Sequence, residues 1–260
     1  MNDHDFRQIY RPRSFSEVVG NARTKQRLIN FITSGAPPKG ILLYGPAGTG
    51  KNTLANLLIK GLYCKNFDGD VCGKCKSCLS LKDDFTGSSK VYFYHNCARM
   101  DGKDLERIID YWCYVPWPGV DRHIHLFDEF HRTKEPLQEK LLDILEFKKD
   151  ILLIFCLIDY QKIIRPYRQR VEVLRTSPPD IEELIPWLSG ICNSEGIVIK
   201  DTNALGQIAI EANRSPRECL ALLVSIHNLK EPLTIDLVRE VAQDRQGTCT
   251  DGPEYALAEN

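Results

Sequence analysis

The sequence lacks an excess of charge of either sign. Its 34 lysines and arginines nearly balance its 35 aspartates and glutamates, and the formal net charge is −1. A global basic field that would attract nucleic acid is therefore excluded, so any contact with DNA must come from a local group of residues. Internal repeats and low-complexity segments are absent as well, and a hydrophobic content of 43% is ordinary for a globular protein.

Long hydrophobic runs are also missing. No apolar stretch approaches the roughly 18–20 residues that a membrane-spanning helix needs. Residues 1–7 are polar and lack the apolar core of a signal peptide. We therefore expect a cytoplasmic protein with no membrane partner. In that reducing compartment the ten cysteines are not expected to form disulfides.

Four of the cysteines lie close together in the sequence. They are Cys64, Cys72, Cys75 and Cys78, and turn-forming residues separate them. Four thiolates at such spacing can close a tetrahedral Zn²⁺ site, and because no coordination position stays open, the site would be structural rather than catalytic. The sequence therefore predicts a zinc module over residues 64–78. A chance cluster of reduced thiols and an iron–sulfur cluster are the alternatives.

A glycine-rich loop joins an apolar run, residues 40–44, to a helical pattern that starts at residue 53. Strand, glycine loop and helix form the context that a phosphate-binding loop needs, because the loop amides and the helix N-terminus can face an anion. Lys51 would reach the β- and γ-phosphates of a nucleotide. A plain glycine-rich turn is the alternative. The predicted nucleotide-binding residues are Gly45, Pro46, Ala47, Gly48, Thr49, Gly50, Lys51, Asn52 and Thr53.

One position departs from the phosphate-loop pattern. The residue after the lysine is usually Ser or Thr, whose hydroxyl binds Mg²⁺, and here it is Asn52. An amide oxygen can ligate Mg²⁺, but the amide is bulkier than a hydroxyl. The sequence therefore predicts nucleotide binding more strongly than hydrolysis.

An acidic pair, Asp128 and Glu129, ends the apolar run 123–127. Ligands of doubly wound sheets bind at the carboxyl ends of strands. In that position Asp128 would hold Mg²⁺, directly or through water, and Glu129 would polarise the attacking water. A solvated strand end is the alternative.

Strand and helix patterns alternate as far as residue 174, and only helical patterns follow. This alternation predicts an α/β fold with a parallel sheet covered on both faces. The turn-rich residues 176–179 then separate a smaller, all-helical region. We expect a nucleotide-binding domain over residues 1–176, a helical lid domain over 177–246 and a flexible tail over 247–260. The predicted strands are 40–44, 91–94, 123–127, 150–158 and 171–174, and the predicted helices of the second region are 181–194, 203–212, 215–227 and 235–243.

Several arginines could contact phosphate. Arg165, Arg168 and Arg170 follow the most apolar of the predicted strands, and Arg217 opens a helix in the second region. The guanidinium group is suited to bidentate contact with phosphate. The alternatives are a solvated basic face for the first three residues and an exposed helix-start arginine for the fourth.

The order of these motifs resembles the clamp-loader branch of the AAA+ ATPases, in particular the gamma/tau subunits of bacteria, over roughly residues 9–245. The resemblance is carried by an entry segment, residues 9–20, by the cysteine module, residues 64–78, after the glycine-loop helix, and by the acidic pair. Tyr114–Pro116 and Asp159–Lys162 also match the family. The resemblance implies an adenine-side contact from the entry segment, an arginine finger at Arg170 acting on the ATP of a neighbouring subunit, and a lid arginine at Arg217. The entry-segment residues are Tyr10, Arg11, Pro12 and Val19.

The resemblance also implies cofactors and partners. ATP, Mg²⁺ and Zn²⁺ are the implied cofactors, and other clamp-loader-like subunits, a sliding clamp and primed DNA are the implied partners of an oligomer. The implied function is ATP-driven loading of a ring clamp on DNA. A non-hydrolysing scaffold subunit and an ATPase of a mobile element or defence system are the alternatives.

The sequence departs from the family at three further points. Leu157 and Ile158 stand where the family has a polar residue that senses the γ-phosphate. The finger motif reads Gln169-Arg170-Val171 in place of serine, arginine and cysteine. The helical collar that joins clamp-loader subunits is not expected within these 260 residues.

Overall fold

The computed structural model describes residues 5–81, 92–111, 122–148 and 150–247. The described residues form two compact units, one from Arg11 to Pro178 and one from residues 5–10 with 179–247. The predicted tail beyond residue 247, the first residue of the predicted strand 91–94 and the family segment Tyr114–Pro116 lie outside the described residues.

A five-stranded parallel sheet forms the centre of the first unit and confirms the predicted α/β fold. The strands are β1 (Gly40–Tyr44), β2 (Tyr92–Asn96), β3 (His123–Asp128), β4 (Ile151–Leu157) and β5 (Glu172–Arg175). Their order in the sheet is β2-β3-β4-β1-β5. All four pairings between neighbouring strands are parallel, and Tyr44 of β1 pairs with Leu157 of β4.

Both faces of this sheet are buried, which explains the apolar sequences of its central strands. Every residue of β4 is buried. Successive side chains of β1 alternate between two hydrophobic clusters, with Ile41 and Leu43 in one and Leu42 in the other. The helices of this unit are α2 (Ala22–Thr33), α3 (Lys51–Tyr63), α4 (Lys76–Ser80), α5 (Gly102–Tyr111), α6 (Glu135–Phe147) and α7 (Arg165–Arg170).

A buried glutamine fixes the loops that follow β3 and β4. Gln138 of α6 donates through Nε2 to the carbonyls of Thr133, at 2.9 Å, and Lys162, at 3.2 Å. Its Oε1 accepts the Ile164 N–H at 3.1 Å. These bonds connect α6 to the ends of two 3-10 turns, Phe130–Arg132 and Tyr160–Lys162. The first turn follows the acidic pair and the second precedes α7, so Gln138 fixes the position of both.

The cysteine module packs beside the entry segment. Cys64 caps the end of α3, Cys72 and Cys75 precede α4, and Cys78 lies within α4. The Asp70 carboxylate accepts the backbone N–H groups of Phe15, at 2.8 Å, and Ser16, at 3.0 Å. Since these two residues lie about 55 positions earlier, Asp70 anchors the module to the start of the sheet unit.

The second unit consists of helices, as the sequence predicts. Phe6 is fully buried and packs on the rings of Tyr10 and His227. These contacts place residues 5–10 in the helical unit, whereas the predicted boundary grouped them with the sheet. None of the helices that the structure describes has the length and hydrophobicity of a membrane span. The helices are α1 (Phe6–Ile9), α8 (Ile181–Ser194), α9 (Ala204–Glu211), α10 (Pro216–Leu229) and α11 (Ile235–Gly247).

Candidate nucleotide-binding site

The glycine loop connects β1 to the N-terminus of α3. Gly48 and Gly50 have φ angles of 75° and 88°, which L-residues with a side chain rarely adopt. A Cβ on Gly45 would lie 2.1 Å from the carbonyl oxygen of Thr176, so only glycine fits at that position. Gly50 is the N-cap of α3, and the loop therefore leads directly into the first turn of the helix. A helix N-terminus at the end of such a loop favours anion binding.

Lys51 and Thr49 hold the loop in shape. The Lys51 ammonium donates to the carbonyls of Gly45, at 2.8 Å, and Pro46, at 2.7 Å. The buried Thr49 hydroxyl donates to Pro46 at 2.9 Å and lies 2.7 Å from the Thr176 hydroxyl. The positive charge of Lys51 thus lies over the loop itself. This is where the phosphates of a nucleotide would place their oxygens.

The sequence did not reveal Asn21 as a residue that supports the site. Its backbone has φ 55°, and its Nδ2 donates to the carbonyls of Thr49, at 3.3 Å, and Ser177, at 3.1 Å. Its Oδ1 accepts the Ser177 N–H at 2.9 Å. Asn21 therefore joins the entry segment, the glycine loop and the chain after β5. The half-buried Val19 lies two residues before it.

Asn52 and Asp128, predicted separately, are in direct contact. The Asn52 amide nitrogen donates to Asp128 Oδ2 at 2.7 Å, and the Tyr94 hydroxyl donates to the same oxygen at 3.0 Å. The backbone N–H of Glu129 donates to Asp128 Oδ1 at 3.0 Å. Burial, together with the Asp128 charge, raises the pKa of Tyr94, so its hydroxyl stays protonated and acts as a donor.

The Asn52 amide is suited to a cation. Because the carboxylate can only accept, the amide must turn its N–H₂ group towards Asp128 and its oxygen away. That oxygen, Asn52 Oδ1, is buried and has no hydrogen-bond partner among the described residues. Magnesium prefers oxygen ligands, and a buried oxygen without a donor is an available one. The residues present therefore fit Mg²⁺, with Asn52 offering an amide oxygen in place of the usual hydroxyl.

Glu129 lies at the sharp turn that follows β3. Its φ of 54° is in the left-handed region. Its carboxylate oxygen Oε2 lies 3.3 Å from Nε2 of His131 and 4.0 Å from Nε of Arg132. His131 was not predicted from the sequence, because a single histidine after a strand has no distinctive spacing. The acidic pair is thus divided, with Asp128 directed to the glycine-loop helix and Glu129 to a histidine.

The arginines after β4 have different roles. Arg168 donates through Nη2 to the carbonyls of Tyr160, Gln161 and Ile163, at 3.2–3.3 Å, and packs over the Tyr160 ring. Arg168 therefore stabilises its own turn. Arg170 forms an ion pair with Glu146 of α6, and Arg165 is exposed. Arg217 is exposed in the first turn of α10, within the helical unit.

The four clustered cysteines converge as predicted. Their sulfur atoms all lie within 4.8 Å of one another, and those of Cys72 and Cys78 are 3.9 Å apart. A tetrahedral site with Zn–S bonds of about 2.3 Å needs sulfur separations of about 3.8 Å. Backbone N–H groups donate to the sulfurs of Cys64, Cys72 and Cys75 at 3.4–3.5 Å. The donor set and its spacing fit a tetrahedral metal ion.

The thiols of this cluster do not share one environment. Hydrogen bonds from backbone N–H groups, with that of Cys78 the strongest, lower the pKa of Cys75 to about 6. Burial raises the pKa of Cys78 to about 12. A bound cation favours the thiolate form of every ligand, so it would offset the cost of ionising Cys78.

Comparison with known proteins gives a consistent result. Residues 20–179 match the family model described as "DNA polymerase III, delta subunit". The DNA polymerase III subunit gamma/tau of Mycoplasma pneumoniae is 30% identical over 232 residues, 88% of this chain and 33% of the relative. The DNA polymerase III subunit gamma of Buchnera aphidicola is 26% identical over 243 residues, 92% of this chain and 65% of the relative.

Solved structures support the fold. The RuvB Holliday junction branch migration motor of Thermotoga maritima matches with a TM-score of 0.67 and 19% identity, covering 91% of this chain and 73% of that one. At this identity the likeness concerns the fold alone. The chain spans from a third to just under two thirds of the length of the two polymerase subunits above. Because the family model covers more than half of the sequence, the chain belongs to the DNA polymerase III delta-subunit family, and it is similar to gamma/tau subunits.

Proposed function

We propose that this chain is an ATP-binding subunit of the clamp-loader type, which uses ATP to help place a ring-shaped clamp on primed DNA. The observation that carries the proposal is the glycine loop with the Lys51 ammonium positioned over it. Similarity to gamma and gamma/tau subunits of DNA polymerase III supports the assignment to replication. The implied partners are other subunits of this type, a sliding clamp and DNA in the cytoplasm.

Different residues of the site bind the phosphates, orient the attacking water and hold the metal ion. The loop amides and the N-terminus of α3 bind the phosphates, and Lys51 exchanges its carbonyl partners for phosphate oxygens. Glu129 orients the attacking water. Asn52 would hold Mg²⁺ through Oδ1, and Asp128 would hold it through water; the ion when bound neutralises charge on the phosphates.

Further nucleotide contacts rest on the resemblance. It assigns contacts on the adenine side to Tyr10, Arg11, Pro12 and Val19, and a contact on the phosphate side to Arg217. It also assigns Arg170 to the ATP of a neighbouring subunit, which requires an oligomer. We propose these roles for the residues at the matching positions.

We also propose that Cys64, Cys72, Cys75 and Cys78 hold one structural Zn²⁺. With all four ligands supplied by the protein, the ion has no open position for chemistry. Its role would be to hold the cysteine module against α3 and the entry segment.

A second candidate function is a non-hydrolysing scaffold subunit. The observation in its favour is Asn52, which stands at the hydroxyl position and uses its N–H₂ group to occupy Asp128. Such a subunit would bind ATP and shape the oligomer without turnover.

Steady-state ATP hydrolysis with and without clamp and primed DNA separates these functions. We expect turnover that primed DNA and clamp stimulate, and its loss in Glu129→Gln, which should still bind ATP. Binding without turnover in the wild type under every condition would favour the scaffold. Failure of the wild type to bind ATP would overturn both functions.

A further inference from the structure

His131 lies between the acidic pair and the end of β4. It belongs to the 3-10 turn Phe130–Arg132, and its side chain is only 11% exposed. The backbone N–H of Ile158 donates to its Nδ1 at 3.5 Å, and its Nε2 lies 3.3 Å from Glu129 Oε2. The ring therefore has one polar partner on each side.

These partners determine which nitrogen carries the proton. A backbone N–H can only donate, so Nδ1 must be the acceptor, and in the neutral ring the proton is then on Nε2. That proton faces the Glu129 carboxylate. Burial lowers the pKa of His131, and the positive charges of Lys162 and Arg132 lower it further. The negative charges of Glu129 and Asp159 oppose this shift without cancelling it. The ring is therefore neutral near pH 7.

The other end of this arrangement reaches the glycine loop. Leu157 accepts the N–H of Gly45 at 3.3 Å, and the next residue, Ile158, donates to His131. Neither Leu157 nor Ile158 has a polar side chain, so at the end of β4 the polar groups of these two residues are those of the backbone. The start of the glycine loop is thereby joined to Glu129 through β4 and one imidazole.

We propose that His131 is a positioning residue that fixes the Glu129 carboxylate through this connection, in place of a polar side chain at the end of β4. The proposal rests on the proposed function, since Glu129 acts there on the attacking water. A carboxylate that is held in one orientation keeps the water in line with the phosphate, whereas a free one samples other rotamers.

Two substitutions of His131 test separately the contact of Nε2 with Glu129 and the contact of Nδ1 with the backbone. His131→Gln keeps an amide donor about as far from the backbone as Nε2, and His131→Asn keeps a polar group only near the position of Nδ1. We expect His131→Asn to lower kcat about tenfold or more with no change in ATP affinity, and His131→Gln to stay within about threefold of the wild type. Equal turnover in wild type and His131→Asn would overturn the proposal, as would equal losses in both variants.

A readout that does not need hydrolysis is the tautomer of the ring. Nitrogen NMR of the histidine side chains, assigned by comparison with His131→Gln, should show His131 neutral with its proton on Nε2. Glu129→Gln should alter the Nε2 signal. A proton on Nδ1 would overturn the proposal. If the wild type binds ATP but never hydrolyses it, the proposed hydrolysis fails while the NMR result still decides how His131 and Glu129 are arranged.

Discussion

The Asn52 amide has a donor at one end and an acceptor at the other, which is also what a hydroxyl provides. A hydroxyl combines the two on one atom, one bond from Cβ, whereas the amide oxygen stands one bond further out. A cation on Asn52 Oδ1 would therefore lie further from the backbone of α3 than a cation on a hydroxyl. Mg²⁺ requires near-ideal octahedral geometry at 2.0–2.1 Å, so the amide oxygen serves as a ligand but fits the ion less well than a hydroxyl would.

We therefore expect Asn52→Thr to raise Mg²⁺-dependent ATP hydrolysis severalfold. The threonine hydroxyl can donate to Asp128 and still offer a lone pair to the metal. Asn52→Ala is the control, since it removes both functions and should lower turnover below the parent. If the parent is already a brisk ATPase and Asn52→Thr leaves the rate unchanged, the amide is as good a ligand as the hydroxyl.

At the scale of elements, the pairing of β2 with β3 brings the half-buried His95 against the buried His125. Nε2 of His95 and Nδ1 of His125 are 2.9 Å apart, and their rings stack with centroids 5.2 Å apart. Burial lowers the pKa of His95 to about 4 and that of His125 well below its usual range. Both rings are therefore neutral in the folded protein near pH 7.

This pair should make the sheet unit sensitive to acid. Between pH 6.5 and about 4 the unfolded chain binds protons that folded His95 does not, so stability falls as the pH falls through that window. Each unit of pKa difference corresponds to about 1.4 kcal/mol, so we expect His95 alone to contribute a loss of about 2 kcal/mol by pH 5. His125, whose pKa is also lowered, adds to this loss. Urea unfolding at pH 7, 6 and 5 measures it. His95→Asn should show a shallower dependence, and a flat profile in the wild type would contradict the assignment.

The cysteine module should lose its metal without disturbing the glycine loop. We expect one zinc per chain in the wild type and none in Cys75→Ser, because three thiolates cannot close the tetrahedral site. Metal analysis together with an ATP-binding measurement tests both statements. Cys192→Ala, which changes a buried cysteine of the helical unit, is the control and should keep its zinc. Zinc retained in Cys75→Ser would rule out this set of ligands.

The sequence predicts the elements because their signals are local. A run of apolar residues reveals β4, and fixed spacing reveals the glycine loop and the cysteines. Asn21, Tyr94 and Gln138 could not be predicted in the same way, since they bond to partners 24 to 156 positions away. For Asn52, the motif predicts its position next to the phosphate-binding lysine. Its bond to Asp128 could not be predicted, because that bond depends on how α3 packs beside β3.

At the scale of the whole molecule, Arg170 bears on whether the site is shared between subunits. Its guanidinium is paired with Glu146 of α6 in the same chain. To act on the ATP of a neighbour, Arg170 must leave that carboxylate. The ion pair with Glu146 would then keep the Arg170 guanidinium in its own chain until the phosphates of a neighbouring nucleotide compete for it.

We expect Arg170→Ala to leave the ATP affinity of the single chain unchanged and to remove the turnover that assembly confers. Arginine fingers contribute about 10³–10⁵ in rate where they act. Turnover in mixtures of Arg170→Ala and Lys51→Ala subunits measures this, because one variant can bind ATP and the other can supply the finger. Glu146→Gln, which frees Arg170, is the matched control and should not reduce turnover. Full activity of an assembly made only of Arg170→Ala would assign Arg170 to a solvated basic face.

The central claim is that the glycine loop binds the phosphates of a nucleotide, and direct titration with ATP tests it. Wild type, Lys51→Ala and the exposed-lysine control Lys148→Ala should be compared under identical conditions. We expect Lys51→Ala to weaken binding by about 100-fold or more, because its ammonium is the charge positioned over the loop, and Lys148→Ala to match the wild type. Equal affinity in wild type and Lys51→Ala would contradict the account.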